Sequence, residues 1–191
     1  MDERGNNEVR KEQSLNSNNQ DPLKRIVLSQ IGTESQSSIK GRSSSTSNAL
    51  YVPWKNGSLY ENGYISKLSH SGELQWRKQI ADVNQITTAT DKDEKIYAAW
   101  SRNSYHTEET RGSFIAKLNP DNGEIVWKTE LESHNYIIND LHAVGNTLYA
   151  VGQYKGTKRP LFIAVNLNDG TLLWQKEVAA SDSTAFTEID S

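Results

Sequence analysis

Three times the chain writes a glycine, any residue, an apolar residue, any residue and a tryptophan: Gly72 to Trp76, Gly123 to Trp127 and Gly170 to Trp174. Trp76 and Trp127 stand 51 residues apart, and Trp127 and Trp174 stand 47 apart. Recurrence at that period marks a chain built from repeated supersecondary units that bury their faces against one another. The size suits one four-stranded sheet per repeat.

The segments between the tryptophans support that reading. From Ile26 onward, short apolar runs alternate with clusters of Gly, Asn, Asp and Ser at regular spacing, and helix-period segments are absent. Each repeat divides into a weak first strand such as Gln85 to Ala89 or Tyr136 to Leu141, then an apolar-Tyr-apolar strand: Leu50-Tyr51-Val52, Ile96-Tyr97-Ala98 and Leu148-Tyr149-Ala150. The third strand opens on an aromatic residue (Tyr64, Phe114, Phe162) and enters a hairpin at Ser71-Gly72, Asn122-Gly123 and Asp169-Gly170, where glycine supplies the positive φ of a tight turn. In the fourth strand, the second, fourth and eighth residues after the glycine are Leu74, Trp76, Ile80, then Ile125, Trp127, Leu131, then Leu172, Trp174, Val178. Strict alternation puts each trio on one face. The fold expected is all-β, a partial β-propeller of about three four-stranded antiparallel blades, with repeats at about 32–80, 81–131 and 132–179.

Beyond the repeats, Ile26 to Gly32 reads as a fourth strand without its Trp, and Ala185 to Ile189 as a first strand without partners. These are orphan strands at both ends of a repeat domain spanning 23–191. Residues 1–22 hold almost no apolar side chains and are expected to form a disordered polar tail.

Composition narrows function mainly by exclusion. With 35% apolar and 24% charged residues the chain belongs with soluble globular proteins, and no stretch approaches the length of a membrane span. The first residues lack a signal-peptide core, so nothing as written directs export. A net charge of −3 offers no electrostatic purchase on a phosphate backbone, which argues against nucleic acid. The absence of cysteine excludes disulfides and thiolate metal sites. Asp91 to Glu94 and Asn119 to Glu124 carry oxygen ligands, but they fall where the repeat needs tight turns, so no metal site is assigned. Neither a catalytic constellation nor a cofactor is expected.

The third repeat, Ala164 to Trp174, resembles the tryptophan-docking motif of pyrroloquinoline-quinone-like propeller repeats, Ala-x-Asp-x-x-Thr-Gly-x-x-x-Trp, with Asn166 for Asp and Asp169 for Thr. The second copy, Ala116 to Trp127, is one residue longer, and the first has Ser66 where Ala is expected. Phe114 to Leu118 before Asn122-Gly123 is also similar to bacterial seven-bladed propeller repeats. The resemblance covers roughly 26–190. It implies that Trp76, Trp127 and Trp174, with Gly72, Gly123 and Gly170, dock blade on blade, and it implies an extracytoplasmic (periplasmic or secreted) location. Quinoprotein dehydrogenases of this superfamily hold a quinone and calcium in a closed barrel centre, often against a vicinal disulfide; this chain has neither the cysteines nor the usual number of blades, so that activity is not carried over.

Function is expected in the residues that do not repeat. The connections between second and third strands, Pro53 to Gly63, Trp100 to Gly112 and Gly152 to Pro160, emerge on one rim of a propeller. They hold the candidate binding residues Trp54, Tyr60, Trp100, Arg102, Tyr105, Arg111, Tyr154, Lys155, Lys158 and Arg159. The competing reading packs Trp54 and Trp100 inward and leaves the cations to solvate the rim.

An open stack of blades also exposes its end faces. At roughly 500 Å² of apolar surface per face and about 25 cal/mol/Å², each bare face forfeits on the order of 12 kcal/mol. The expectation is therefore a piece of a longer propeller, since Ser191 falls inside a repeat, with ring closure by other copies and an unsupported arc as the alternatives. The functional expectation is a non-enzymatic binding or scaffold module that meets a protein partner or further copies of itself. A remnant or subunit of a quinone-dependent dehydrogenase and an envelope-assembly or sensor propeller domain are the rivals.

Overall fold

A computed structural model describes residues 37–39, 42–56, 62–80, 83–91, 93–102, 112–131 and 136–178. Among them are thirteen strands in three antiparallel sheets and no helix. The first sheet holds β1 (Ser37–Ile39), β2 (Ser44–Ser45), β3 (Ala49–Asn56), β4 (Gly63–Ser69) and β5 (Leu74–Ile80). The second runs β6 (Val83–Thr90), β7 (Ile96–Arg102), β8 (Gly112–Leu118) and β9 (Ile125–Glu130). The third runs β10 (Tyr136–Val144), β11 (Thr147–Tyr154), β12 (Pro160–Asn166) and β13 (Leu172–Glu177). The second and third are meanders in which neighbours in sequence are neighbours in the sheet, and β3 to β5 of the first follow the same order. This is the expected series of propeller blades; the orphan strands and the polar tail lie outside the described residues.

Blade 1 departs from the pattern on its inner side. Where β6 and β10 are continuous, the first blade has two short pieces on the same edge of β3: β1 against Trp54 to Asn56 and β2 against Leu50 and Tyr51. Between the two lies Pro53, which carries no N–H for a ladder.

Blades stack face to face, and the seams between them are the core. The first seam gathers Tyr51, Ile65 and Ile80 from blade 1 with Ile86, Ile96, Ala98, Trp100, Phe114 and Leu118 from blade 2. The second gathers Tyr97, Ala99, Ile115 and Leu131 from blade 2 with Leu148, Leu161 and Ile163 from blade 3. A middle strand buried on both faces needs no polar alternation, which is why Ile96-Tyr97-Ala98-Ala99-Trp100 reads as an unbroken apolar run. The outer strands β5, β9 and β13 are mostly exposed.

Those outer strands correct the expectation of one shared face. In each, the register shifts by one residue just after the hairpin: Leu68 pairs with Leu74 but Lys67 with Trp76, Leu118 with Ile125 but Lys117 with Trp127, and Val165 with Leu172 but Ala164 with Trp174. The extra residue (Gln75, Val126, Leu173) turns Leu74, Ile125 and Leu172 onto the face opposite the tryptophan. The same registers correct the repeat alignment. The second and third hairpins are equal in length and the first is shorter by one, so Leu161, and not Phe162, stands where Phe114 stands.

Candidate functional site

Two of the three recurring tryptophans, Trp76 and Trp127, dock on the next blade. Trp76 donates its indole N–H to the Pro120 carbonyl at 2.9 Å, and Trp127 donates to the Leu167 carbonyl at 3.2 Å. Both acceptors lie three residues before the next repeat's glycine. Each indole also covers that glycine. Gly123 (φ +73) would carry a Cβ 2.7 Å from the Trp76 ring, and Gly170 (φ +78) one 2.5 Å from Trp127. Glycine is therefore required twice over, by the turn and by the indole lying against it. Within its own blade each tryptophan meets the second-strand tyrosine: Tyr51 with Trp76, Tyr97 with Trp127 and Tyr149 with Trp174, at centroid separations of 6.0, 6.1 and 6.2 Å.

The three pairs are built alike and end differently. Tyr51 and Tyr97 are 1% and 0% exposed beneath the following blade, whereas Tyr149 is 36% and Trp174 48% exposed. Phe162, whose equivalents Ile65 and Ile115 are fully buried, is only half-buried on the same outward face. Val178 is exposed where Ile80 and Leu131 are buried. Blade 3 thus presents an aromatic face shaped like the two that its predecessors bury. Burial raises the phenol of Tyr97 well above its ordinary range, helped by a hydrogen bond to Asp91 and the charges of Asp91 and Asp93; burial likewise raises Tyr51, with Glu94 and Asp121 contributing.

The candidate rim residues divide among separate places. Trp54 is buried inside blade 1, stacked on Tyr64 at 4.4 Å, with its N–H given to Ser66 Oγ at 2.9 Å and Arg77 over both rings. Trp100 is buried against Phe114 in the first seam, with Arg102 at the strand end over the same Phe114 ring. Both tryptophans follow the inward-packing reading. Tyr154, Lys155, Lys158 and Arg159 come together on the hairpin joining β11 to β12, where the Lys158 N–H bonds the Tyr154 carbonyl at 2.8 Å and Lys158 takes φ +53. Arg159 lies over Tyr154 and 3.7 Å from Glu177, and Lys155, Lys158 and Arg159 are all exposed at that tip. Tyr60, Tyr105 and Arg111 lie outside the described residues.

Sequence reasoning missed the axis, where the inner strands meet. The segment before β2 crosses from blade 1 over blade 2 to blade 3. The Arg42 carbonyl accepts the Thr88 N–H at 3.0 Å, and the Arg42 guanidinium reaches the buried Asp140 carboxylate at 2.7 Å. Asp140 also accepts its neighbour Leu141 N–H at 2.9 Å. Beside this strap, Ser43, Ser44, Ser45, Thr88, Thr90 and His142 line a polar hollow. A lone Asp between Asn139 and Leu141 carries no recognisable motif, so no signal in the chain announces the strap. The two acidic turns serve the backbone: Asp91 Oδ1 accepts the N–H groups of Asp93 and Lys95, and Asn119 Oδ1 that of Asp121. Among the described residues no three His, Cys, Asp or Glu side chains converge as a metal site would require.

Comparison with known proteins agrees with this architecture. The Europium-containing methanol dehydrogenase structure superimposes with a TM-score of 0.54 at 14% identity over 73% of this chain and 25% of its own. That is a likeness of fold, and the chain spans a quarter of that enzyme. BamB from Moraxella catarrhalis matches at 13% identity and a TM-score of 0.35 over 72% of this chain and 61% of its own. A search among curated proteins finds no match. The family model for outer membrane protein assembly factor BamB, a pyrroloquinoline-quinone-like repeat family, matches residues 61–190, most of the repeat region. With its docking tryptophans, hairpin glycines and stacked four-stranded sheets, the chain belongs to that family.

Proposed function

We propose that this chain is a non-enzymatic β-propeller module that binds protein, and that the outward face of blade 3 takes a further four-stranded blade from another copy or another polypeptide segment. One observation carries the reading: Tyr149 and Trp174 repeat a pair that the next blade covers twice elsewhere and that is exposed here. The Lys155–Arg159 hairpin supports a second contact at the rim. The axis favours scaffold over quinone chemistry. A bound quinone would supply hydride or electron transfer, yet its calcium requires several free oxygen donors, and Asp140, the buried carboxylate at this axis, is already held by Arg42 and the Leu141 N–H. Among the described residues no donor set fits the group.

A second reading, an envelope-assembly propeller in an extracytoplasmic compartment, is favoured by the family match over residues 61–190. It specifies the setting of the same binding module. Sedimentation equilibrium of the purified chain tests the proposal. Association is expected at rising concentration, or on adding a polypeptide that supplies a blade, and Trp174→Glu is expected to abolish it. A chain that stays monomeric and gains no partner through this face contradicts it, as does association that Trp174→Glu leaves unchanged.

A further inference from the structure

The cleft between blades 1 and 2 departs from its counterpart between blades 2 and 3 in a way that the repeat does not require. By register, Lys78, Trp100, Arg102 and Lys128 of the first cleft correspond to Thr129, Gly152, Tyr154 and Gln175 of the second. The second cleft is closed by Tyr136, whose hydroxyl donates to Glu177 and accepts from Gln175, each at 2.8 Å. Val83 takes the Tyr136 position in the first, since it pairs with Arg102 as Tyr136 pairs with Tyr154. No tyrosine closes this cleft from that position, and a cavity of about 160 Å³ opens between the blades.

The chemistry of this cavity is one-sided. Its floor is the stacked Trp100–Phe114 pair, and Lys128 Nζ and the Arg102 guanidinium lie 4.9 and 5.6 Å from the Phe114 ring centre. Lys78 faces them from blade 1, and among the described residues no carboxylate lines the cavity. Glu130, cross-strand from Phe114, is exposed and lies outside the lining. Arg102 Nε is buried and meets no acceptor among the described residues. A desolvated guanidinium proton without a partner is costly, and a carboxylate is the acceptor whose geometry best answers it. The volume is below the roughly 300 Å³ at which cofactor and drug-sized pockets begin, so it suits one or two side chains.

We propose that this cleft recognises an acidic, partly apolar peptide segment of a protein partner, with a carboxylate on Arg102 and Lys128 and an aromatic or aliphatic side chain over Trp100 and Phe114. The inference rests on the binding-module reading and names the chemistry of a partner at a place separate from the face of blade 3. The test uses a fluorescein-labelled peptide of alternating glutamate and phenylalanine, titrated with the whole chain and followed by anisotropy. Saturable binding is expected, weakened about tenfold or more by Arg102→Gln or Lys128→Gln, the loss of one charge-assisted contact, and left intact by Lys95→Gln on a distant turn. Circular dichroism of each variant establishes that the blades remain folded. Absence of saturable binding overturns the proposal. So does binding that neither replacement weakens, or tighter binding of a single-stranded oligothymidine probe. Association through Trp174 is read separately by sedimentation: loss of peptide binding with association intact defeats the cleft alone, and the reverse result defeats blade completion alone.

Discussion

At the scale of single residues, one tryptophan type does two jobs according to what lies over it. Trp127 is docked, with its N–H on Leu167 and its ring against Gly170, while Trp174 has the same place in its own blade and is 48% exposed. Trp127→Ala should cost about 3 kcal/mol, near the lower end for a truncated core aromatic. Trp174→Ala should cost under about 1 kcal/mol in dilute solution. Urea unfolding of the two variants measures the difference. Tyr97 gives a second test. Burial, with the Asp91 hydrogen bond, raises its folded pKa above the unfolded value, so the folded state holds that proton more tightly. The contribution is fully present below the ordinary tyrosine range of about 10 and is lost as pH rises through it and beyond. Alkaline unfolding should therefore steepen above that range, and Tyr97→Phe should flatten it. The glycines and tryptophans were legible in the sequence because turn and docking both demand a particular residue. That Gly123 and Gly170 serve the indole as well as the turn was not, because only coordinates bring Trp76 and Trp127 over them.

At the scale of elements, strand order and the apolar middle strands follow from the chain, whereas registers do not. The outer-strand bulge is invisible in sequence because its extra residue is Gln75, Val126 or Leu173, one polar and two aliphatic side chains that share no turn or bulge signal. Its consequence is large, since it sends Leu74 and Trp76 to opposite faces. The split inner side of blade 1 is more readable, with Pro53 opposite the gap. Across that gap runs the Arg42 strap, which ties blade 1 to blades 2 and 3. Because Asp140 is buried and Arg42 is half exposed, the pair should couple by about 1–2 kcal/mol in a double-mutant cycle of Arg42→Ala and Asp140→Asn, followed by urea unfolding. Additive effects would show that the strap contributes through its backbone bonds to Thr88 alone.

At the scale of the molecule, periodicity announces a stack of blades, and the structure shows what a stack implies: every seam needs two faces. The third face, with Tyr149, Phe162 and Trp174 outward, is the molecular counterpart of the bare end anticipated from area alone. Its location could be argued from sequence, because the tyrosine and tryptophan recur. The cation-lined cleft could not, because Lys78, Arg102 and Lys128 are scattered over strands that only the seam brings together. The central claim, that the indoles join blade to blade and that the third is open to a further blade, is tested most directly by hydrogen exchange of the three indole N–H groups, observed by NMR with ¹⁵N-labelled tryptophan. Trp76 and Trp127 should exchange slowly, each bonded to a carbonyl of the next blade. Trp174 should exchange fast in dilute solution and slow when a further blade is bound. Equal exchange at all three positions, or a slow Trp174 in the isolated monomer, would contradict the account.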